Sequence, residues 1–244
     1  MEEKLKIAFW SNCHKRGGVT SNLACMATMA ALSGTGKSIL LENHFNPENL
    51  GSILVAEEKK SFLQERAAYY DKYGIDYVLK RLYTGEDGEM LVRQAGIPLL
   101  YSNLLYLPQN YIVNKEVFEY EFELVHRDLF ACLRRICDTV FVDTESNRNL
   151  STHAILEEAD LIVVNLAQDL GCIQDFFENY QSIQEKCIFL IGQYQPEWKI
   201  DQMRIRREFH IPRSRLAVIP YNLDFQDAMR QGKVIQYLNL NNEK

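Results

Sequence analysis

The sequence predicts an α/β fold, a doubly wound and mainly parallel sheet with helices on both faces. Three observations predict it. Short apolar runs such as Ile7-Ala8-Phe9-Trp10, Val140-Phe141-Val142 and Ile162-Val163-Val164 have the length and continuity of strands buried on both faces. They alternate with segments of helical character, the pattern of crossover connections between parallel strands. No repeat, low-complexity tract or Pro/Gly/Ser linker interrupts the chain, so residues 1–244 read as a single domain large enough to bury a full core.

The elements follow in order. Lys6–Trp10 is a strand of the buried type, and Thr20–Leu32, rich in Ala and Met, is a helix. Gly34-Thr35-Gly36-Lys37-Ser38 contains the G-K-S tail of a phosphate loop, but it follows a helix and precedes a strand, the reverse of the order required. Its glycines end the helix by accepting a left-handed backbone. Ser38–Glu42 is the second strand. Glu57–Tyr83 is mostly helical with a break at Tyr73-Gly74, Glu86–Ala95 is a short helix, and Leu104–Leu107 is a strand ended by Pro108. Lys115–Cys137 places Val117, Phe118, Phe122, Leu124, Val125, Leu129, Leu133 and Ile136 at helical spacing and leads into strand Thr139–Val142. A helix ending near Glu158, strand Leu161–Leu166, a helix around Gln174–Gln184 and strand Cys187–Ile191 come next. Helix Ile200–Phe209, strand Leu216–Ile219 and a helical Phe225–Leu238 complete the pattern.

Composition narrows the class. Hydrophobic residues make up 47% and charged residues 25%, ordinary for a globular protein. No apolar run approaches the ~18 residues of a membrane span, and the Met-Glu-Glu-Lys start lacks a signal-peptide pattern. The six cysteines (13, 25, 132, 137, 172, 187) form no C-x-x-C pair and sit mostly in apolar segments. They read as reduced core residues of a cytoplasmic protein. A net charge of −6 argues against a generally basic nucleic-acid binder and leaves room for a local basic patch.

Four groups of residues carry candidate chemistry. After the first strand, Ser11-Asn12-Cys13-His14-Lys15-Arg16-Gly17-Gly18-Val19-Thr20-Ser21 is a polar turn entering a helix. That order turns backbone N–H groups and a helix N-terminus toward an anion. A standard phosphate loop reads G-x-x-x-x-G-K-[ST], with the Lys on the β/γ-phosphates and the hydroxyl on Mg²⁺; here Gly18 and Thr20 fill two places and Val19 stands at the third. The same residues also suit a tight turn whose glycines only permit close strand–helix packing. Asp143 ends an apolar strand at the sheet's carboxyl edge, where it can hold Mg²⁺ beside a phosphate loop or cap the following turn. Glu42 and His44 end the second strand, placed to position an attacking water or to hydrogen-bond the loop. Arg204, Arg206, Arg207, Arg213 and Arg215 lie within twelve residues, as a phosphate-binding patch for DNA or an acidic partner or as a solvated face.

With these residues assembled, the chain resembles the ParA/MinD group of deviant P-loop ATPases over nearly its whole length. The group's K-G-G-V-G-K-T-T loop corresponds to the run His14-Lys15-Arg16-Gly17-Gly18-Val19-Thr20-Ser21. Glu42-Asn43-His44 stands for its D-x-D, with Asn49-Leu50 following, and Asp143-Thr144-Glu145 for its D-[TS]-P. Ala159-Asp160-Leu161-Ile162-Val163-Val164 is similar to its A-D-x-x-I-V-V strand, and Ile219-Pro220-Tyr221-Asn222 with Ala228 and Gly232 to its I-P-x-[DN]…A…G ending. Val19 replaces the loop lysine, and His14 takes the place of the signature lysine; one residue of slippage would put Lys15 there. Such erosion is similar to the TadZ/CpaE branch of Flp/Tad pilus assembly.

The resemblance implies a P-loop NTPase fold of the SIMIBI kind and the cofactors ATP and Mg²⁺. It implies nucleotide contacts from Lys15, Gly17, Gly18, Val19, Thr20 and Ser21, with Pro220, Tyr221 and Asn222 flanking the base. Thr20 and Asp143 would hold the metal, and Glu42 and Asp143 would serve catalysis, with hydrolysis weak or absent. It further implies a homodimer glued by ATP, a protein partner in a pilus, secretion or positioning system, and a cytoplasmic location with recruitment to a membrane or cell pole. Two other readings stand beside it: a partitioning ATPase binding DNA through Arg204, Arg207, Arg213 and Arg215, and a scaffold that binds a protein partner without nucleotide.

Overall fold

The computed structural model describes residues 4–14, 16–46, 48–56, 73–100, 103–109 and 114–242. Its sheet has eight strands: β1 (Leu5–Trp10), β2 (Ser38–Asn43), β3 (Ile97–Leu99), β4 (Leu104–Leu107), β5 (Thr139–Thr144), β6 (Leu161–Leu166), β7 (Cys187–Tyr194) and β8 (Leu216–Pro220). They lie in the order β3-β4-β2-β5-β1-β6-β7-β8. Every pairing is parallel except β3 with β4. The expected doubly wound, mainly parallel sheet is therefore the observed one.

Period-two alternation sorts the strand residues onto two cores. Ala8, Trp10, Ile39, Leu41, Val140 and Val142 face one side. There they meet helices α3 (Gly74–Tyr83), α4 (Gly88–Ala95), α5 (Lys115–Ile136), α6 (Leu150–Glu158), α7 (Leu170–Asn179) and α8 (Gln202–Glu208). Phe9, Leu40, Phe141 and Val163 face the other, against α1 (Val19–Leu32), α2 (Leu50–Leu54), α9 (Leu223–Arg230) and α10 (Val234–Asn241). Burial on both faces explains why the strands read as continuous apolar runs. No helix among the described residues is long and apolar enough to cross a membrane.

β1 sits between β5 and β6, and the chain leaves it toward β2 on one side and reaches β6 on the other. The carboxyl end of β1 is thus the point where strand order reverses, the place where open α/β sheets make a crevice. Phe9 is level with Asp143, and Asp143 with Glu42, so the ends of three adjacent strands meet there.

Some expectations shift. The expected helix Phe225–Leu238 is two helices, broken around Gly232, whose φ of 66° is left-handed. A Cβ there would collide with the Val55 carbonyl oxygen. The helix expected around Gln174–Gln184 starts earlier, capped by Asp169, and gives way to a 3-10 turn at Gln181–Lys186. Gly34 and Gly36, at φ 71° and 105°, end α1 as the sequence suggested. Of the segment Glu57–Tyr83, residues 57–72 lie outside the described residues and Gly74–Tyr83 is helical. The cysteines need a correction: Cys13 and Cys172, both half-buried, are joined in a disulfide rather than reduced. Cys132, Cys137 and Cys187 are buried and free; burial pushes the Cys137 and Cys187 thiols up to about 12.

Candidate functional site

The turn after β1 delivers an open helix end to the crevice. Gly18 is the N-cap of α1 with φ 66° and ψ 36°, and no side chain caps the helix. The first intrahelical bond runs from the Asn22 N–H to the Gly18 carbonyl at 2.9 Å, so the amides of Val19, Thr20 and Ser21 have no partner within the helix. Most helices satisfy such donors with a Ser, Thr, Asp or Asn cap. An N-terminus left open at a crevice suits an anion, which meets free N–H groups and the positive end of the helix dipole.

A buried amide pair fixes this turn. Asn22 Nδ2 donates to the Gly17 carbonyl at 3.2 Å and to Asn165 Oδ1 at 2.8 Å. Asn165 Nδ2 donates in turn to the carbonyls of Val163 at 3.0 Å and Trp10 at 3.3 Å. Gly17 packs so closely that a Cβ would collide with the Asn165 carbonyl oxygen. The outer part of the turn is held to α7 by the Cys13–Cys172 bridge and by Asn12 Nδ2, which donates to the Cys172 carbonyl and to Asp175 Oδ2 at 2.8 and 2.9 Å. Neither tie was foreseen. An Asn inside the apolar run Val163-Val164-Asn165-Leu166 is the one sequence signal that pointed to the first.

The open helix end faces a cavity of about 380 Å³, within the size range of small-molecule sites. His14 and residues 17–21 form one wall; His44, Asn46 and residues 143–146 form another; Glu48, Ile53, Gln193 and Met229 complete it. Gln193 sits at a bulge in β7 with φ 51°, a backbone state that non-glycine residues rarely adopt and that clusters at functional sites.

The carboxyl edge beside the loop carries a compact charge cluster. Glu42, His44 and Asp143 are all buried, with ligating atoms within 4.8 Å of one another. Glu42 is sealed: Oε1 accepts from the Leu50 N–H at 2.9 Å, and Oε2 from the Tyr106 hydroxyl at 2.9 Å and the Gln109 N–H at 3.3 Å. Burial, the largest influence, pushes its carboxyl up. His44 Nε2 lies 3.0 Å from Asp143 Oδ2 and 3.7 Å from Glu42 Oε1. Burial opposes charge on this imidazole most strongly, but Asp143, then Glu42 and Glu145, outweigh it and raise the ring to about 9. The Asn46 N–H, 3.3 Å from Nδ1, favours a neutral ring.

The predicted site residues fall into three sets. Gly17, Gly18, Val19, Thr20, Ser21 and Asp143 meet at the cavity. Within that set, the Val19 side chain packs on the apolar core beneath α1, and the Ser21 hydroxyl turns back to the Gly18 carbonyl at 2.9 Å. Glu42 does not line the cavity, because its own backbone and tyrosine donors enclose it. Pro220, Tyr221 and Asn222 are exposed where β8 meets α9, with Asn222 capping Phe225, and do not line it either. Lys15 lies outside the described residues. Arg204 and Arg207 on α8, and Arg213 and Arg215 on the 3-10 turn after it, are exposed and away from the cavity.

The open amides and the cavity fit the phosphates of a nucleotide. Thr20 and Asp143, the residues expected to hold Mg²⁺, both line the cavity. Mg²⁺ takes near-octahedral oxygen ligation; Asp143 Oδ2 lies 3.0 Å from His44 Nε2, and both Glu42 oxygens accept from internal donors.

No protein-family model matches the chain, and no curated protein matches it in sequence. Solved structures do match its fold. The ParA family ATPase from Chlorobium tepidum TLS aligns with a TM-score of 0.74 at 13% identity, over 99% of this chain and 94% of that one. The cell division ATPase MinD of Pyrococcus furiosus gives 0.68 at 14% identity, over 96% and 90%. A plasmid partition protein of Borrelia burgdorferi B31 bound to AMPPNP gives 0.60 at 13% identity, over 98% and 99%.

Proposed function

We propose that this chain is a ParA/MinD-like protein that binds ATP, turns it over weakly or not at all, and works as a TadZ/CpaE-type localisation or assembly protein. The observation that carries this reading is the uncapped N-terminus of α1, opening on the cavity at the sheet's switch point. The amides through Ser21 cradle the phosphates, and Lys15 supplies further positive charge. Poor turnover follows from Val19, which lacks the charge that would stabilise the transferring phosphoryl group, and from Glu42, which is sealed from any attacking water.

ATP then acts by holding two copies face to face rather than as fuel. The setting is cytoplasmic, with a protein partner recruiting the dimer to a membrane or pole. The solved neighbours support the reading through their fold and, in one case, a bound ATP analogue. Titration calorimetry with ATP tests it. Binding in the micromolar-to-millimolar range with negligible phosphate release is expected, and no heat at millimolar nucleotide from folded protein would overturn it. Restoring the charge with Val19→Lys should tighten binding by ~10–150-fold, the worth of one charge-assisted contact of ~1.5–3 kcal/mol.

A second reading rests on the exposed Arg204, Arg207, Arg213 and Arg215: a partitioning protein that binds DNA. It predicts salt-sensitive, ATP-dependent retardation of DNA that Arg204→Ala and Arg207→Ala abolish. Unchanged DNA mobility at low salt excludes it, and the net charge of −6 places it second.

A further inference from the structure

On the reading of the cavity as a nucleotide site, we propose that Lys115, at the start of α5, grips the terminal phosphate of ATP in place of the loop lysine that Val19 replaces. The cavity calls for such a cation. Its described lining carries three carboxylates, Glu48, Asp143 and Glu145, and neither Lys nor Arg. Arg16, on the phosphate turn, faces Asp169 at 3.4 Å. Among the described residues, Lys115 is the one Lys or Arg ion-paired to a lining residue, with Nζ 3.0 Å from Glu145 Oε2.

The ammonium stands at the rim of the wall. The Glu145 side chain is 10% exposed and that of Lys115 44%. Lys115 Nζ also lies 5.8 Å from the centre of the Phe45 ring, within cation–π range, and Phe45 stands between the lining residues His44 and Asn46. Phe45 packs edge-on against Phe118 of α5 with ring centres 5.5 Å apart, which keeps the start of that helix beside the cavity. A half-exposed ion pair is weak, and a lysine is a point charge on a flexible stem. The ammonium can therefore exchange the Glu145 carboxylate for a phosphate without moving the helix. Helix energetics give no reason for a lysine here, because at the first position of α5 its charge opposes the helix dipole.

The two faces of the sheet select the phosphate. Ile53 of α2 and Met229 of α9, apolar parts of the lining, pack on the α1 face, whereas Phe45 and α5 pack on the other. A base seated on the apolar side, with the α1 amides at the middle of the chain, sends the last phosphate toward Glu145 and Lys115.

Calorimetric titration of ATP and of ADP into the full chain, both with Mg²⁺, tests the assignment. Lys115→Met should weaken ATP binding by about tenfold or more, as the loss of one charge-assisted contact implies. ADP binding should weaken by less than about threefold, with circular dichroism unchanged. In the Glu145→Gln background, where the ammonium has lost its partner, Lys115→Met should still weaken ATP binding by about tenfold. If Lys115 only neutralises Glu145, the substitution has no effect in that background, and the proposal is overturned. A loss for ATP below about threefold, or an equal loss for the two nucleotides, overturns it as well and leaves the nucleotide reading intact. No binding of either nucleotide by the folded parent would overturn both.

Discussion

Gly18 and His44 decide, one residue at a time, what the cavity can hold. Gly18 is left-handed at φ 66°, and a Cβ built on it would lie 3.1 Å from Ser21 Oγ. A β-branched residue is an outlier in that conformation, so Gly18→Val either strains the turn or unwinds the first turn of α1. The expected outcome is ATP binding weakened at least tenfold, read by calorimetry, with a stability loss of ~1–3 kcal/mol in urea titration. His44 makes a pH prediction. Its folded value of about 9 lies above the ordinary 6.5, held there against burial by Asp143, Glu42 and Glu145. Its contribution is therefore complete below pH 6.5 and disappears as the pH rises through about 9. Urea midpoints across that window should fall by on the order of 3 kcal/mol in the parent relative to His44→Gln. Parallel curves for the two proteins would show that the imidazole is neutral when folded.

Elements were more legible in the sequence than the ties between them. Strands buried on both faces announce themselves, and Leu104–Leu107 and Leu161–Leu166 were placed to the residue. The omissions are short: α2 has five residues, less than two helical turns, and β3 has three, one of them Pro98. The phosphate loop and Asp143 were visible because strand–turn–helix order and an acid at a strand end are local patterns. The enclosure of Glu42 by Tyr106, 64 residues away, and the seating of His44 on Asp143, 99 away, depend on strand order and left no local signature. The amide link between α1 and β6 left a single local trace, Asn165 inside an apolar run. Asn165→Ala removes it, leaving the buried Asn22 amide only the Gly17 carbonyl and taking a side-chain donor from the Trp10 carbonyl. An unsatisfied buried group costs ~1–3 kcal/mol, so a loss of about 1–3 kcal/mol is expected in urea titration. Hydrogen exchange should rise at the first turn of α1 more than at its last. A uniform rise would mean that the pair supports the core rather than the loop.

Across the whole molecule, the Cys13–Cys172 bridge joins the outer phosphate turn to the start of α7 over a sequence separation of 159 residues. It encloses β2 through β6, five of the eight strands. In the chain-entropy account, closing so long a loop removes unfolded-state freedom worth up to about 5 kcal/mol, and engineered and native bridges often deliver less. Such a bridge persists in oxidising surroundings and opens in the reducing interior of most cells. The cytoplasmic setting proposed above thus implies a protein that works with the bridge open and gains stability on oxidation. Peptide mapping of air-oxidised protein should recover one cross-linked pair containing Cys13 and Cys172. Adding dithiothreitol should lower the urea midpoint by the equivalent of about 2–5 kcal/mol. Cys172→Ser should match the reduced parent and ignore the reductant. Asn12 and Arg16 still hold the turn to α7 when the bridge opens, through Asp175 at 2.9 Å and Asp169 at 3.4 Å. The fold and the amides of residues 19–21 should therefore survive reduction, and ATP affinity should change less than threefold. A larger change would mean that the bridge, and not the Asn22–Asn165 pair, sets the shape of the phosphate loop.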